Sequence, residues 1–219
     1  MIRLLVVDDH RMIHRAMAHM AAARADMEVV GEASSGEEAL EFVDALAPNV
    51  VLMDLDMPGM GGLAATERIA RAHPQVRVIV ISAQTQEPYP SRAMAAGAVG
   101  YLSKDSEEAE IERAIRRVLS GGKYIAADIA GQMAERLLAT GKGSPFDALS
   151  EREMSVALKI TAGHSTQQIA DLLDIHPNTV SSFRRRIYDK LNVNNDVELT
   201  RAAFRYGVIR ESAEGWDSA

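Results

Sequence analysis

Side chains that could do metal or phosphoryl chemistry follow the apolar runs in the first half of the 219-residue chain. They are three carboxylates, a hydroxyl and an ammonium, at Asp8, Asp9, Asp54, Ser82 and Lys104. Carboxylates that lie close together repel one another, so such a cluster favours a hard divalent cation with oxygen ligands, such as Mg²⁺. The cation, the hydroxyl and the ammonium could together stabilise charge on a phosphoryl group that is transferred to an aspartate.

The elements that must position these side chains alternate along the first 120 residues. Continuous apolar runs, which are typical of strands buried on both faces, occur at 2–7, 28–31, 50–53, 76–81 and 99–102. Stretches with helical spacing lie between and after them, at 10–25, 36–46, 64–72, 91–96 and 107–119. This alternation predicts a flavodoxin-like, doubly wound parallel sheet of five strands. The carboxyl ends of such strands meet at one edge, which would bring the five side chains into one pocket.

The second half of the chain has a different organisation. Glycines 121 and 122 end the last helix of the first domain, and residues 126–138 fit one short helix. Residues 141–145 (GKGSP) are typical of a flexible linker. We therefore predict an α/β domain at 1–120, a linker with a short helix at 121–146, a small all-α domain at 147–210 and a tail at 211–219. The helical stretches of the second domain are 151–162, 166–173, 177–191 and 197–206.

Two of these stretches have the features of a helix–turn–helix. Ser165 and Gln168 are spaced as a capping box, and Pro177 suits the first position of the next helix. Apolar residues of that next helix repeat every three or four positions and predict a core-facing side, at Val180, Phe183, Ile187 and Leu191. The other side would meet base edges with Ser181, Ser182 and Arg185, flanked by phosphate contacts at Arg184, Arg186 and Lys190.

Charge and composition limit the function classes. The chain has a net charge of −7, so its surface as a whole is not that of a polyanion-binding protein. Residues 176–190 differ, because four basic residues oppose one acidic residue there. The absence of cysteine excludes disulfides, thiolate metal sites and cysteine nucleophiles. The apolar runs are too short to span a bilayer and the first residues lack a signal-peptide pattern, so we expect a cytoplasmic protein.

Residues 1–120 resemble the receiver domains of two-component response regulators. The matching motifs are Val6-Val7-Asp8-Asp9-His10, Asp54 with Met57-Pro58-Gly59, Ser82-Ala83, and Ala96-Gly97-Ala98-Val99-Gly100-Tyr101-Leu102-Ser103-Lys104. The resemblance implies that a sensor histidine kinase phosphorylates Asp54. It also implies that Asp9, Asp54 and the backbone carbonyl of Asp56 bind Mg²⁺, with Asp8 in the outer shell.

The same resemblance implies roles for residues around the phosphoryl group. Ser82, with Ala83 beside it, would bind a phosphoryl oxygen, and Lys104 would pair with the group. Tyr101 would be the aromatic residue that moves inward when Ser82 is recruited. The segment before the fourth helix departs from a generic receiver, because its two prolines, 88 and 90, cannot lie in a helix interior. We therefore expect that helix to begin late, with Pro90 in its first turn.

Residues 147–210 resemble the LuxR/FixJ-type (NarL-type) DNA-binding domain. The matching motifs are Leu149-Ser150-Glu151-Arg152-Glu153, Ile169-Ala170-Asp171-Leu172-Leu173, Thr179-Val180 and Lys190-Leu191. The resemblance places Thr179 among the DNA-contacting residues. It also implies dimerisation through the last helix, along Val197, Arg201 and Phe204. His176 stands where the family usually has a serine N-cap, which predicts a weaker start of the recognition helix.

The whole chain is similar to the GacA/UvrY group of that family. The similarity rests on Glu87-Pro88-Tyr89-Pro90-Ser91-Arg92, Ser144-Pro145-Phe146-Asp147, Ser150-Glu151-Arg152-Glu153 and Asp196-Val197-Glu198-Leu199. It implies a bacterial transcription regulator that forms a homodimer when phosphorylated. Its partners would be a hybrid sensor histidine kinase and promoters of small regulatory RNAs, with no membrane partner. No enzyme activity is expected beyond the receiver's own phosphoryl transfer and dephosphorylation.

Two other functions fit parts of the sequence. Asp54-Leu55-Asp56 resembles the Asp-x-Asp of haloacid-dehalogenase-type phosphatases, although those enzymes usually have it after the first strand and need a substrate cap. A protein-binding module is the second alternative, since His176 departs from the family pattern and the basic charge is modest. Steep salt dependence of DNA binding would distinguish a DNA-binding protein from such a module.

Overall fold

Six parallel strands form one sheet in the first half of the chain. The computed structural model describes residues 1–140 and 144–209, with only the backbone for 136–140. The strands are β1 (Ile2–Val7), β2 (Met27–Ala33), β3 (Val50–Met53), β4 (Arg77–Ser82), β5 (Gly100–Ser103) and β6 (Tyr124–Ile125). Their order across the sheet is β2-β1-β3-β4-β5-β6. The predicted parallel sheet is confirmed, and the short β6 extends it beside β5, within the segment that the sequence predicts as linker.

A helix follows each strand of the sheet along the chain. They are α1 (Arg11–Ala22), α2 (Gly36–Leu46), α3 (Gly62–Ala72), α4 (Tyr89–Ala95), α5 (Glu108–Leu119) and α6 (Ala127–Thr140). In α5 the buried positions Ile111, Ala114, Ile115 and Val118 recur every three or four residues. The central strand β3 is buried along its whole length, as expected of a strand covered on both faces.

Helix α4 starts near its prolines, as the sequence predicts. Pro90 lies in its first turn, where a missing backbone N–H leaves no hydrogen bond unmade. The helix begins at Tyr89, two residues before the predicted start, and it is only seven residues long. Tyr89 and Pro90 are both buried, so this proline-containing segment is packed against the domain.

Four helices and a 3-10 turn form the second half. The chain divides into two compact units, one covering Met1–Met133 and one beginning at Ala134. The second contains a 3-10 turn (Pro145–Ala148), α7 (Glu151–Thr161), α8 (Thr166–Leu173), α9 (Pro177–Leu191) and α10 (Asp196–Arg205). Residues 141–143 of the predicted linker and the predicted tail at 211–219 lie outside the described residues. Within the described parts of the chain, no helix has the length and apolar character needed to cross a membrane.

The helix starts of the second unit follow the local sequence. Ser150 and Ser165 each form a capping box with the residue three positions later, which confirms the box predicted at Ser165. His176 does what a serine would do, because its ring Nδ1 accepts a hydrogen bond from the backbone N–H of Asn178 at 3.1 Å. Leu172 of α8 lies exposed, at 56% of its surface.

Candidate functional site

The acidic side chains meet where the order of the sheet reverses. Strand β1 lies between β2 and β3, so the connections that leave β1 and β3 run to opposite faces and leave a crevice between them. Val7 pairs with Met53 at the end of these strands, and the backbone N–H of Asp54 donates to the carbonyl of Val7 at 2.8 Å. The carboxylates that follow the two strands therefore lie side by side, as the sequence predicts.

Lys104 joins two of these carboxylates. Its Nζ lies 2.7 Å from Asp8 Oδ2 and 2.9 Å from Asp54 Oδ2. Asp8 and Asp54 are each only 2% exposed, so both carboxylates depend on protein partners for their charge. A further hydrogen bond comes from the backbone N–H of Leu55 to Asp54 Oδ1, at 2.8 Å.

The protonation equilibria reflect this burial. Burial raises the pKa of Asp54 above its ordinary value, and the charge of Asp8 adds to this, although Lys104 and the N–H of Leu55 oppose both. Burial also opposes the charge on Lys104, but its hydrogen bonds to Asp8 and Asp54 outweigh that effect and raise its pKa. One ammonium thus balances two buried carboxylates, which leaves the pocket with excess negative charge when both are ionised.

The same edge of the sheet offers a set of metal-binding atoms. One ligand atom from each of Asp8, Asp9, His10 and Asp54 lies within 4.8 Å of the others. His10 Nδ1 lies 2.7 Å from Asp9 Oδ1 and 3.0 Å from Asp8 Oδ1. Carboxylate oxygens of this number and proximity fit a hard divalent cation. Asp9 is partly exposed, so the set opens to solvent on that side.

Close packing brings helix α3 against the loop that follows β3. A Cβ atom on Gly62 would lie 1.7 Å from the backbone oxygen of Asp54, so only glycine fits there. The backbone N–H of Gly62 also donates to the carbonyl of Leu55 at 3.1 Å. These contacts fix the backbone carbonyls of Asp54 and Leu55 directly after the Asp54 side chain.

Ser82 and Tyr101 are linked through a residue that the sequence does not single out. Ser82, the last residue of β4, is fully buried, and its Oγ accepts a hydrogen bond from the backbone N–H of Gln84 at 3.1 Å. The hydroxyl of Tyr101 donates to the backbone carbonyl of Gln84. The side chain of Gln84 donates to Asp56 Oδ2 at 3.0 Å. Ala83 lies exposed between Ser82 and Gln84.

Tyr101 points inward in this structure. It is fully buried in β5, so the ring whose inward movement the receiver resemblance implies already lies inside the domain. Gln84 therefore connects the hydroxyl of Ser82, the ring of Tyr101 and the exposed carboxylate of Asp56. Gln84 lies in a polar loop, two residues after the end of β4, and no sequence pattern there marks it as a functional residue.

The predicted recognition helix α9 is held on one side by an acidic residue of α10. Arg184 Nη1 donates to Asp196 Oδ2 at 2.6 Å. The hydroxyl of Tyr188, one turn further along α9, donates to the other oxygen, Asp196 Oδ1. The guanidinium of Arg184, which the sequence predicts as a phosphate contact, is thus paired with a carboxylate of its own domain in this structure.

Lys190 is held in the same way on the other side of α9. Its Nζ lies 2.6 Å from Glu153 Oε2 and 3.1 Å from the carbonyl oxygen of Ala148. Glu153 is buried, and its Oε2 also accepts from the backbone N–H of Ser150 at 2.7 Å. Lys190, another predicted phosphate contact, thus binds the Glu153 carboxylate that belongs to the capping box of α7.

The third side of α9 is open to solvent. Successive helix residues are rotated by about 100°, so Arg184 and Lys190, six positions apart, point about 120° from one another, on either side of the core-facing residues, and leave the rest of the helix surface open. That open face has the exposed residues Ser181, Ser182, Arg185 and Arg186, with Thr179 half-buried near its start. The guanidinium of Arg186 lies 4.7 Å from the centre of the Phe183 ring, which orients it.

Helix α10 exposes an apolar stripe. Val197 is 61% exposed and Phe204 is 43% exposed, with the exposed Arg201 between them on the same side of the helix. Leu199 and Ala203 face the domain core instead. Val197 and Phe204 thus give this side of α10 two exposed apolar side chains around one arginine.

Each half of the chain matches a known protein family, and full-length relatives match nearly the whole chain. The response regulator receiver domain model matches residues 4–116, and the model of the bacterial regulatory proteins of the luxR family matches residues 147–203. Response regulator GacA of Pseudomonas protegens is 44% identical over 212 residues, which are 97% of this chain and 100% of that protein. Response regulator UvrY of Escherichia coli is 46% identical over 209 residues, which are 95% of this chain and 96% of that protein.

A solved structure has the same fold. RcsB from Salmonella enterica serovar Typhimurium, bound to a promoter in the presence of the phosphomimetic BeF₃⁻, superposes with a TM-score of 0.60. It is 21% identical, and the match covers 92% of this chain and 97% of that one. The two family models and the full-length relatives fit a transcription regulator and not a phosphatase. The chain therefore belongs to the LuxR family of two-component response regulators, as a DNA-binding protein with a receiver domain and a helix–turn–helix domain.

Proposed function

We propose that Asp54 is the phosphoacceptor of this regulator. Its carboxylate is buried, lies 2.9 Å from Lys104 Nζ and follows the central strand β3 at the switch point of the sheet. This placement is the observation that carries the proposal. A phosphoryl group on Asp54 would add negative charge beside Lys104, whose ammonium can move from the carboxylates to a phosphoryl oxygen. The phosphoryl donor is a sensor histidine kinase, of the hybrid type if the GacA/UvrY similarity extends to the partner.

Mg²⁺ binding fits the same pocket. Asp9, Asp54 and the backbone carbonyl of Asp56 are its proposed ligands, with Asp8 in the outer shell. The excess of carboxylates over Lys104 supports this, because a divalent cation relieves the repulsion that burial makes costly. When bound, the cation supplies charge neutralisation at the phosphoryl oxygens. The residues of the chain hold Asp54 in place and keep bulk water from its inner side.

Ser82, Ala83 and Tyr101 form the proposed switch. The Ser82 hydroxyl accepts from the N–H of Gln84 and keeps its own O–H to donate to a phosphoryl oxygen. A shift of Ser82 toward that oxygen would therefore also pull on Gln84, whose carbonyl accepts from Tyr101. A shift of the loop that contains Gln84 is a local packing event that biases the domain between two states.

DNA contact is proposed for the open face of α9. Thr179, Ser181, Ser182 and Arg185 suit base edges, and Arg186 suits a phosphate. Arg184 and Lys190 are proposed to orient the helix, because each is bound to a carboxylate of its own domain. The apolar stripe of α10, with Val197, Arg201 and Phe204, is the proposed dimer contact. The proposed targets are promoters in the bacterial cytoplasm, among them those of small regulatory RNAs.

The test is a selection of genomic DNA fragments by the purified chain with Mg²⁺, with and without BeF₃⁻. Asp54→Asn is the test variant, and Asp44→Asn, which replaces an exposed aspartate of α2, is the matched control. Phosphorylation by acetyl phosphate is followed in parallel on phosphate-affinity gels. We expect BeF₃⁻ to enrich a few inverted repeats for the parent and for Asp44→Asn, and not for Asp54→Asn.

The other outcomes separate the parts of the proposal. Equal enrichment with and without BeF₃⁻ would keep DNA binding but remove Asp54 as its control. Phosphorylation of Asp54→Asn at the rate of the parent would place the phosphoryl group elsewhere. No enrichment in either state would favour a protein-binding output for the helix–turn–helix domain.

A further inference from the structure

Asp196 connects the two functional surfaces of the second unit. It is the first residue of α10, directly before the exposed Val197, and both of its carboxylate oxygens bind α9. One oxygen takes Arg184 and the other takes Tyr188, which lies one turn further along the same side of α9. A single carboxylate therefore joins the helix with the open polar face to the helix with the apolar stripe.

The contact is partly sheltered from solvent on the Arg184 side, while the Asp196 side chain is 46% exposed. The side chain of Arg184 is 24% exposed, and its Nε is buried without a hydrogen-bond partner among the described residues. The guanidinium thus depends on Asp196 for charge compensation. The hydroxyl of Thr200 donates to the backbone carbonyl of Asp196 at 2.8 Å, so the first turn of α10 is also held from within. Two charge-assisted hydrogen bonds to one rigid turn fix both distance and rotation between the helices.

We propose that Asp196 is a positioning residue that makes α9 and α10 move as one body, so that a dimer formed through α10 sets the spacing of its two recognition helices. This rests on the proposed function, in which α9 contacts DNA and α10 contacts a second copy. Without the carboxylate, the α10 contact could still form, but α9 and α10 would be joined only through their shared packing on α7, and α9 would be freer to tilt relative to the dimer axis. The affinity for paired half-sites would then depend much less on their separation.

The experiment compares paired half-sites at two separations, using the full chain with Mg²⁺ and BeF₃⁻. One DNA has the selected spacing, and the other has an insertion of about 5 bp, half a helical turn, which turns one half-site to the opposite side of the duplex. A third DNA has a single half-site. Binding is measured by fluorescence anisotropy, and the dimer is measured separately by sedimentation.

Asp196→Asn is the test variant, because it keeps the size of the side chain and leaves the N-cap Asn195 in place. Asp189→Asn is the control, since it removes an equal charge from an exposed position of α9 itself. For the parent we expect the insertion to weaken binding by about tenfold or more, as loss of one of two linked contacts does. For Asp196→Asn we expect less than about a threefold loss, with dimer formation and single-site binding close to those of the parent.

The control separates the effect of losing one negative charge from the effect of losing the Asp196 contact with α9. Asp189→Asn should change the affinity for both separations by the same factor and keep the parent's ratio. In a background that carries both Arg184→Met and Tyr188→Phe, Asp196→Asn should cause no further change in the ratio, because both contacts of its carboxylate with α9 are already absent. A parent-like ratio in Asp196→Asn would overturn the proposal, and so would loss of the dimer in this variant, which would place Asp196 in the dimer contact itself. A parent that forms no dimer, or ignores the spacing, would instead refute the proposed function.

Discussion

Replacing Lys190 by methionine should destabilise the second unit while the salt dependence of DNA binding stays unchanged. The lysine ammonium lies 2.6 Å from Glu153 Oε2, and the Glu153 side chain is only 3% exposed. The substitution removes the ammonium from the buried Glu153 carboxylate. Among the described residues, the backbone N–H of Ser150 then remains as the donor to Glu153 Oε2. Methionine keeps the aliphatic stem, so the change isolates the loss of the charge.

The magnitude follows from the exposure of the two partners. A hydrogen bond to a charged group contributes about 1.5–3 kcal/mol when it is sheltered from water. The Lys190 side chain is 39% exposed, so water can partly replace it, and we discount the cost to about 1–2 kcal/mol. In a domain of this size each kcal/mol lowers the melting temperature by roughly 4–8 °C.

Two measurements on the full chain separate the possible roles of Lys190. Hydrogen–deuterium exchange of peptides from α7 and α9 reports the stability of the second unit. The slope of log K against log salt reports the number of phosphate contacts, and each lost contact lowers it by about 0.9. Lys159→Met, at another lysine of the same unit, is the control and should change neither quantity. Unchanged exchange in Lys190→Met together with a slope lowered by about 0.9 would refute the reasoning and make Lys190 a phosphate contact.

Asp54→Asn should raise the melting temperature of the receiver in the absence of divalent cations. Burial raises the pKa of Asp54, so its ionised form lowers the stability of the fold at neutral pH. A lower melting temperature of the variant in calorimetry would contradict this prediction. Tyr101→Phe should lower the free energy of unfolding by about 0.5–1.5 kcal/mol in urea denaturation, since it removes the hydrogen bond to the Gln84 carbonyl and keeps the buried ring; an unchanged value would mean that this bond adds no net stability. Burial alone would raise the pKa of Glu153, but hydrogen bonds from Lys190 and Ser150 outweigh it and lower that pKa. The ionised carboxylate of Glu153 therefore stabilises the fold at pH values above its ordinary pKa of 4.5. That stabilisation is lost as the pH falls through the lower pKa of the folded state. Glu153→Gln should flatten this acid dependence in urea denaturation between about pH 3 and pH 7, whereas an acid dependence equal to the parent's would assign it to other carboxylates.

The sequence alone determined the features that depend on neighbouring residues. Strand and helix periodicity predicted the parallel sheet and the four helices of the second unit, and the spacing of Ser165 and Gln168 predicted a capping box that the structure confirms. The pocket at Asp54 could also be predicted, because parallel strands always end at the same edge of a sheet. These inferences succeeded since each depends on hydrogen bonds or burial within a few residues, or on a rule of topology.

Only the tertiary structure decided which partner each charged side chain takes. Arg184 and Lys190 look alike in sequence as basic residues of an amphipathic helix, yet Arg184 binds Asp196 of α10 and Lys190 binds Glu153 of α7. Glu153 and Lys190 are 37 residues apart along the chain, so this ion pair exists only because α7 and α9 pack together. Gln84 likewise forms hydrogen bonds with Asp56 and Tyr101 because β3, β4 and β5 pair side by side in the sheet. Side chains of one type differ in role when packing brings different partners within about 3 Å, and a periodic pattern has no information about that distance.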